Sequence, residues 1–226
     1  MDKKTIIRKT VDHVKEKMAG EGSGHDWWHT YRVWRMAVRI GKEEKADLFV
    51  VELGALLHDL ADWKAHGGDV SVGPRVAREW LESIGTDEET VSHVCHIVGN
   101  VSFKGAGVKN GIETKEGMVV QDADRLDAIG AIGVGRVFAY GGYVKREIHD
   151  PDTKPVLHKS FKHYRSTTPF KDYKSTNSTS INHFYEKLLL LKKRMNTRTA
   201  KRIAEGRHKF MESYLKRFFK EWEGKA

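Results

Sequence analysis

Cysteine is almost missing from this sequence: Cys95 is the one example in 226 residues. Neither an intrachain disulfide framework nor a thiolate zinc site can form within one chain, and a reducing cytoplasm is the expected compartment. Proline is scarce too. Three of its four occurrences, Pro151, Pro155 and Pro169, fall between residues 141 and 180 beside a run of Ser and Thr, so that stretch reads as a long, partly irregular excursion. Long apolar runs are absent. The longest aliphatic stretch, Leu188 to Leu191, is far too short to span a bilayer, and no membrane partner is expected. The opening MDKKTIIRKTVDHVKEKM mixes charges and has no uninterrupted apolar segment, so a signal peptide is not expected.

What is present is enough for a folded core. Hydrophobic residues make up 39% and charged residues 31%, the balance of a folded soluble protein rather than a disordered one. The formal net charge is +9, from 40 Lys plus Arg against 31 Asp plus Glu. Such an excess suits nucleic acid, an anionic surface or phosphorylated small molecules. It is spread along the chain and enriched after residue 140 without a clean basic motif, so charge alone selects none of these and leaves nucleic acid open.

Helical periodicity dominates the pattern. Ile6, Ile7, Val11, Val14 and Met18 recur at spacings of three and four and mark an opening amphipathic helix. The glycine-rich GEGSGHD ends it. A second helix follows over roughly Trp27 to Glu44, with Val33, Met36, Ala37 and Ile40 on one face. Ala46 to Ala61 is apolar along Leu48, Val51, Leu53, Ala55, Leu56 and Leu57, which predicts a central helix. Pro74 suits the first turn of a helix running to about Ile84. Asp87, Glu88 and Glu89 match the positive end of the next one. A helix from about Lys115 to Phe138 is expected to be interrupted near the glycines of IGAIGVG. Two amphipathic helices follow Ile181, the second aligning Ile203, Phe210, Tyr214, Phe218 and Trp222 for packing on the body. The expectation is all-α: one domain over residues 1–226, with 141–180 largely irregular and the helices of 181–226 added to the core.

Three separated fragments carry the chemistry: GHDWWHTYRVW at 24–34, GALLHDLADWK at 54–64 and VVQDADRLDAIGAIG at 119–133. Each sets imidazoles or carboxylates in or beside a strongly apolar helical run, where such groups need partners. Imidazole nitrogen with carboxylate oxygen is a mixed donor set suited to Mn, Fe, Ni, Co or Zn and less to calcium. Neighbours on a helix point about 100° apart. The adjacent pair His58 and Asp59 can therefore share one ion only if it sits close to the helix, between their directions.

This ordered H…HD…D pattern resembles the HD superfamily of metal-dependent phosphohydrolases, and within it a bacterial single-chain branch with the signatures GHDWxHxxRV, LLHDxxD and QDADRLDAIGAIG. The likeness extends to FAYGG at 138–142, INHFYEKL at 181–188 and the C-terminal helix. It implies an HD-type helical core and one divalent metal ion (Mn, Fe, Ni, Co, Zn or Mg) held by His29, His58, Asp59 and Asp124. Because the branch includes enzymes assigned as nucleoside-triphosphate pyrophosphohydrolases, it also implies hydrolysis of a nucleoside triphosphate to monophosphate and pyrophosphate.

Other residues follow from their spacing to these. Asp62 is one helical turn past Asp59 and is the first choice for a general base or water-orienting group, against a plain ion pair with Lys64. Asp127 stands in the same relation to Asp124 and is the second choice, against a pairing with Arg125. His25, four residues before His29, either touches substrate or supports the ion from behind, or is satisfied by ordinary hydrogen bonds; Asp26 beside it suits a helix cap. Some HD proteins hold a second metal through histidines on the helix after the HD pair, and His93 and His96 occupy such a segment. The branch resembled here implies one metal, leaving them surface or substrate-contact roles. Lys64, His96, Lys104 and Arg125 are candidates for phosphate contact. Residues 145–174 hold eight Lys or Arg against four Asp or Glu, a phosphate-covering lid or a plain basic loop. Rival readings are a nucleoside 5′-monophosphatase, a cyclic-nucleotide phosphodiesterase, and a non-catalytic module that binds nucleotide or nucleic acid. The sequence leaves the oligomeric state open.

Overall fold

Short polar side chains start most of the helices. In the computed structural model, which describes residues 1–20, 26–61, 69–102, 111–157 and 178–226, Asp2 accepts from the Thr5 amide at the head of α1 (Lys3–Lys17). Asp26 caps α2 (Trp27–Glu44) through the His29 amide, and Asp47 caps α3 (Leu48–Leu57). Pro74 lies in the first turn of α4 (Val72–Ser83). Asp87 accepts from the Thr90 amide to open α5 (Glu88–Asn100). Thr114 and Thr197 do the same for α6 (Lys115–Asp127) and α9 (Arg198–Trp222). Each cap satisfies an amide with no partner inside its own helix, which is worth about 1 kcal/mol. Between them lie α7 (Gly130–Tyr143) and a composite helix, α8. This α8 runs through Ser180–His183 as α-helix, Phe184–Leu188 as π-helix, Leu189–Leu191 as α-helix and Lys192–Arg194 as a 3-10 turn. No strand occurs among the described residues, so the fold is all-α.

The apolar pattern explains the arrangement. α3 is buried almost all round, through Phe49, Val50, Val51 and the run Leu53 to Leu57, and is surrounded by α1, α2, α5 and α6. One face of α2, made by His29, Val33, Ala37, Ile40 and Gly41, is buried where that helix packs on α3 and α6. His29 thus sits on the face that apolar burial turns inward, and so does His58, which follows α3 directly. A lone imidazole placed there is costly, so the hydrophobic packing itself brings the polar groups together.

Two expectations are refined. The interruption foreseen near IGAIGVG divides the 115–138 stretch into two helices, and it falls at Ala128 and Ile129, at the start of that run. Gly130 has φ +78°, a conformation that glycine adopts at little cost. At Gly133 a Cβ would lie 2.3 Å from the Ala128 carbonyl oxygen, so only glycine lets α7 leave the turn at this angle. The second change concerns α9. Phe210 and Trp222 are 47% and 49% exposed, whereas Thr199, Ala200, Ala204, Met211 and Leu215 form the buried face. Small residues let α9 approach α7, α6 and α2 closely. Ile203, Tyr214 and Phe218 of the expected stripe do pack against the core, while Phe210 and Trp222 remain exposed.

A buried carboxylate fixes the approach of α9. Asp122, fully buried, accepts from the Asn196 amide at 2.8 Å, the Asn196 side chain at 3.0 Å, and the Thr197 amide and hydroxyl at 2.7 and 2.8 Å. Burial pushes its carboxyl up, and the bonds from Asn196 and Thr197 pull the other way. Asp122→Ala strands those donors and is expected to cost about 3 kcal/mol, measured as a lower midpoint in denaturant unfolding.

Candidate metal centre

Three helices deliver the polar cluster. His29 is the third residue of α2, His58 and Asp59 follow the last residue of α3, and Asp124 lies one turn before the end of α6. The His29 and His58 Nε2 atoms are 3.3 Å apart. Asp59 Oδ2 and Asp124 Oδ1 each stand 3.6 Å from His29 Nε2, and Asp124 Oδ1 is 4.0 Å from His58 Nε2. One ligand atom from each of His29, His58 and Asp59 lies within 4.8 Å of the others. Side-chain exposure rises from 1% at His29 to 28% at Asp124, so the imidazoles form the floor and Asp124 stands at the open side.

The remaining ring atoms fix what the cluster offers. His58 Nδ1 lies 2.8 Å from the Ala55 carbonyl oxygen, which only accepts, so this nitrogen carries the proton. His29 Nδ1 lies 2.8 Å from Asp127 Oδ2. Burial raises the Asp127 carboxyl, but hydrogen bonds from His29 and Arg32 and the nearby charges outweigh it and hold the group well below the ordinary carboxylate range. The carboxylate therefore accepts, and His29 Nδ1 donates. Burial pushes the His29 imidazole down, against the pull of its Asp127 bond, so the ring is neutral at physiological pH. The two Nε2 atoms face each other at 3.3 Å, with the carboxylate oxygens of Asp59 and Asp124 beside them. Ligands about 2.1 Å from one ion stand about 3.0–3.4 Å apart at angles of 90–109°, close to the observed spacings. His29, His58 and Asp59 could hold a divalent metal, with Asp124 placed to join them.

Behind this floor, Arg32 donates to Asp127 Oδ1 from Nε at 2.7 Å and to Oδ2 from its terminal nitrogen at 3.0 Å. Arg136 donates to Oδ2 at 2.9 Å. Asp127 thus pairs with Arg32 and Arg136 rather than with Arg125. Neither arginine was singled out from the sequence. The available signal was faint: Arg32 lies one turn beyond His29, and Arg136 is the one charged residue between Asp127 and Lys145.

The other sequence candidates lie elsewhere. Arg125 is buried and donates to the Arg194 carbonyl at the end of α8, and burial pushes it down to about 10. His96 is exposed on α5, and His93 stands 3.8 Å from Glu116. Neither joins the His29, His58 and Asp59 group. Asp26 takes the cap role open to it. His25, Asp62, Lys64, Lys104 and much of 145–174 lie outside the described residues.

Comparison with known proteins agrees with this geometry. The HD domain family matches residues 27–129, from the start of α2 to just past α6, a span that holds all four candidate ligands. YpgQ of Bacillus subtilis is 36% identical over 213 residues, covering 93% of this chain and 91% of its own length. An HD-superfamily hydrolase from Bacillus thuringiensis superposes with a TM-score of 0.73 at 40% identity, over 98% of this chain and 99% of that one. The structure of YpgQ in complex with ADP superposes with a TM-score of 0.72 at 31% identity, over 98% and 97% of the two chains. The chain belongs to the HD-domain superfamily and has the fold of its hydrolases.

Metal content checks the site. Protein loaded with manganese or cobalt and desalted is expected to retain about one ion per chain, and His58→Ala or Asp124→Ala to lose most of it with the helical signal preserved. Unchanged metal content in both variants sinks the assignment.

Proposed function

We propose that this protein is a metal-dependent phosphohydrolase acting on nucleotides, and that it cleaves a nucleoside triphosphate to the monophosphate and pyrophosphate. The observation that carries the reading is the buried convergence of ligand atoms from His29, His58 and Asp59, with Asp124 at its open side. The ADP in the YpgQ complex and the basic segment 145–174 support a nucleotide ligand.

His29, His58, Asp59 and Asp124 would hold the ion. When bound, it polarises a phosphoryl oxygen and makes a nucleophile available at neutral pH by acidifying water. The protein supplies the rest. Two carboxylates beside a divalent ion offset its charge, so the anionic phosphates need cations from the chain, and residues 145–174 are the proposed source. Asp62, three residues after Asp59 in sequence, is proposed to orient the attacking water and take its proton. Contacts to phosphates beyond the scissile bond would hold that bond in line with the water, which is how remote binding energy becomes rate.

Two measurements test this. A panel of ribo- and deoxynucleotides, assayed separately for phosphate and pyrophosphate, is expected to give pyrophosphate from triphosphates; phosphate from monophosphates with triphosphates intact refutes the chosen bond. Asp62→Asn is expected to keep its metal and lose roughly two to four orders of magnitude in turnover, and parent-like turnover removes Asp62 from the mechanism.

A further inference from the structure

Asp127 is one turn past Asp124 on α6, yet its environment is the opposite of its neighbour's. Asp124 is the most exposed member of the cluster; Asp127 is only 5% exposed. Both of its oxygens are occupied: one by Arg32, the other by Arg32, Arg136 and His29 together. The carboxylate is buried and held by four donated bonds, so it is poorly placed to accept a proton during turnover. What it does touch is the far nitrogen of a proposed ligand.

We infer that Asp127, clasped between Arg32 of α2 and Arg136 of α7, is a positioning residue that fixes the ring and tautomer of His29 and thereby sets the affinity of the site for its ion. The inference rests on the metal-binding reading of His29. A free imidazole exchanges its proton between two nitrogens and turns about its side-chain bonds, and either change points the wrong atom at the ion. A carboxylate on Nδ1 removes that freedom and makes Nε2 a better donor. The carboxylate is itself buried and needs charge compensation. Arg32 grips it side-on through two nitrogens, the geometry that a guanidinium offers a carboxylate, and Arg136 closes it from α7. The turn at Gly130 and the missing Cβ of Gly133 allow α7 to bring Arg136 back onto the last residue of α6. The glycine-rich helix therefore contributes to the ion site without supplying a ligand.

The test uses the full chain and Co(II), with chelator competition for affinity and long-range nitrogen–proton NMR of the metal-free protein for the His29 tautomer. In the parent, His29 is expected to carry its proton on Nδ1. Asp127→Ala should weaken cobalt binding by roughly ten- to a hundredfold and shift His29 toward a mixture of tautomers. Asp127→Asn keeps a carbonyl able to accept from Nδ1, so it should retain the parent tautomer and recover part of the affinity. Arg136→Gln leaves Asp127 in place and should produce a smaller, several-fold loss, which also serves if the alanine variant does not fold. Parent-like affinity in a folded Asp127→Ala, or in both Asp127→Asn and Arg136→Gln, overturns the inference, as does a proton on Nε2 of His29 in the parent. A parent that binds no cobalt refutes the metal reading instead, and the NMR measurement still reports on the Asp127 contact separately.

Discussion

Two imidazole nitrogens held 3.3 Å apart in the interior set the terms for the rest of the molecule. Each ring is anchored by a bond on its opposite side, one to a main-chain carbonyl and one to a carboxylate. The two nitrogens meet carboxylate oxygens in a space from which most solvent is excluded. Helix packing alone does not favour this arrangement. It is tolerable because α2, α3 and α6 are driven together by a continuous apolar core, and because a cation can occupy the point of convergence. The core supplies the force that assembles the centre, and the centre gives the core its polar interruption.

Most of the fold could be read from the chain because its helices announce themselves locally. Asp26 and Asp87 are caps whose function depends on the next three residues, and the apolar stripes of α2 and α3 are regular. The break between α6 and α7 was legible only as a region, since its position depends on a steric fact, the Ala128 carbonyl facing Gly133, that glycine content alone does not locate. The buried face of α9 was read only in part, for a related reason. Ala200 and Ala204 contribute to it by being small, and a search for large apolar side chains passes over them.

The candidate site was legible as a set of donors but not as an arrangement. His29, His58, Asp59 and Asp124 stand out because polar groups interrupt apolar runs. Nothing in spacing distinguishes Asp124 from Asp127, which are both acids on one helix three residues apart. Their difference arises from what other helices bring: open space beside the first, two guanidinium groups around the second. Arg125 is a parallel case. It adjoins a proposed ligand in sequence, yet the 100° step between helix neighbours turns it toward the Arg194 carbonyl instead.

The six residues from Asp122 to Asp127 carry three acids whose carboxylates meet different neighbours: the head of α9, the open side of the His29–His58–Asp59 cluster, and the arginines of α2 and α7 with the far nitrogen of His29. Offsets of two and three residues along an α-helix correspond to turns of about 200° and 300°, and those angles are the directions in which the three neighbours lie. This segment behaves like a key with three bits cut at fixed angles. One residue inserted or deleted within it rotates part of the set by about 100°, so that no rigid shift of α6 can restore all three contacts at once. Substitutions here remove one connection at a time, whereas a change of length severs the register on which all of them depend.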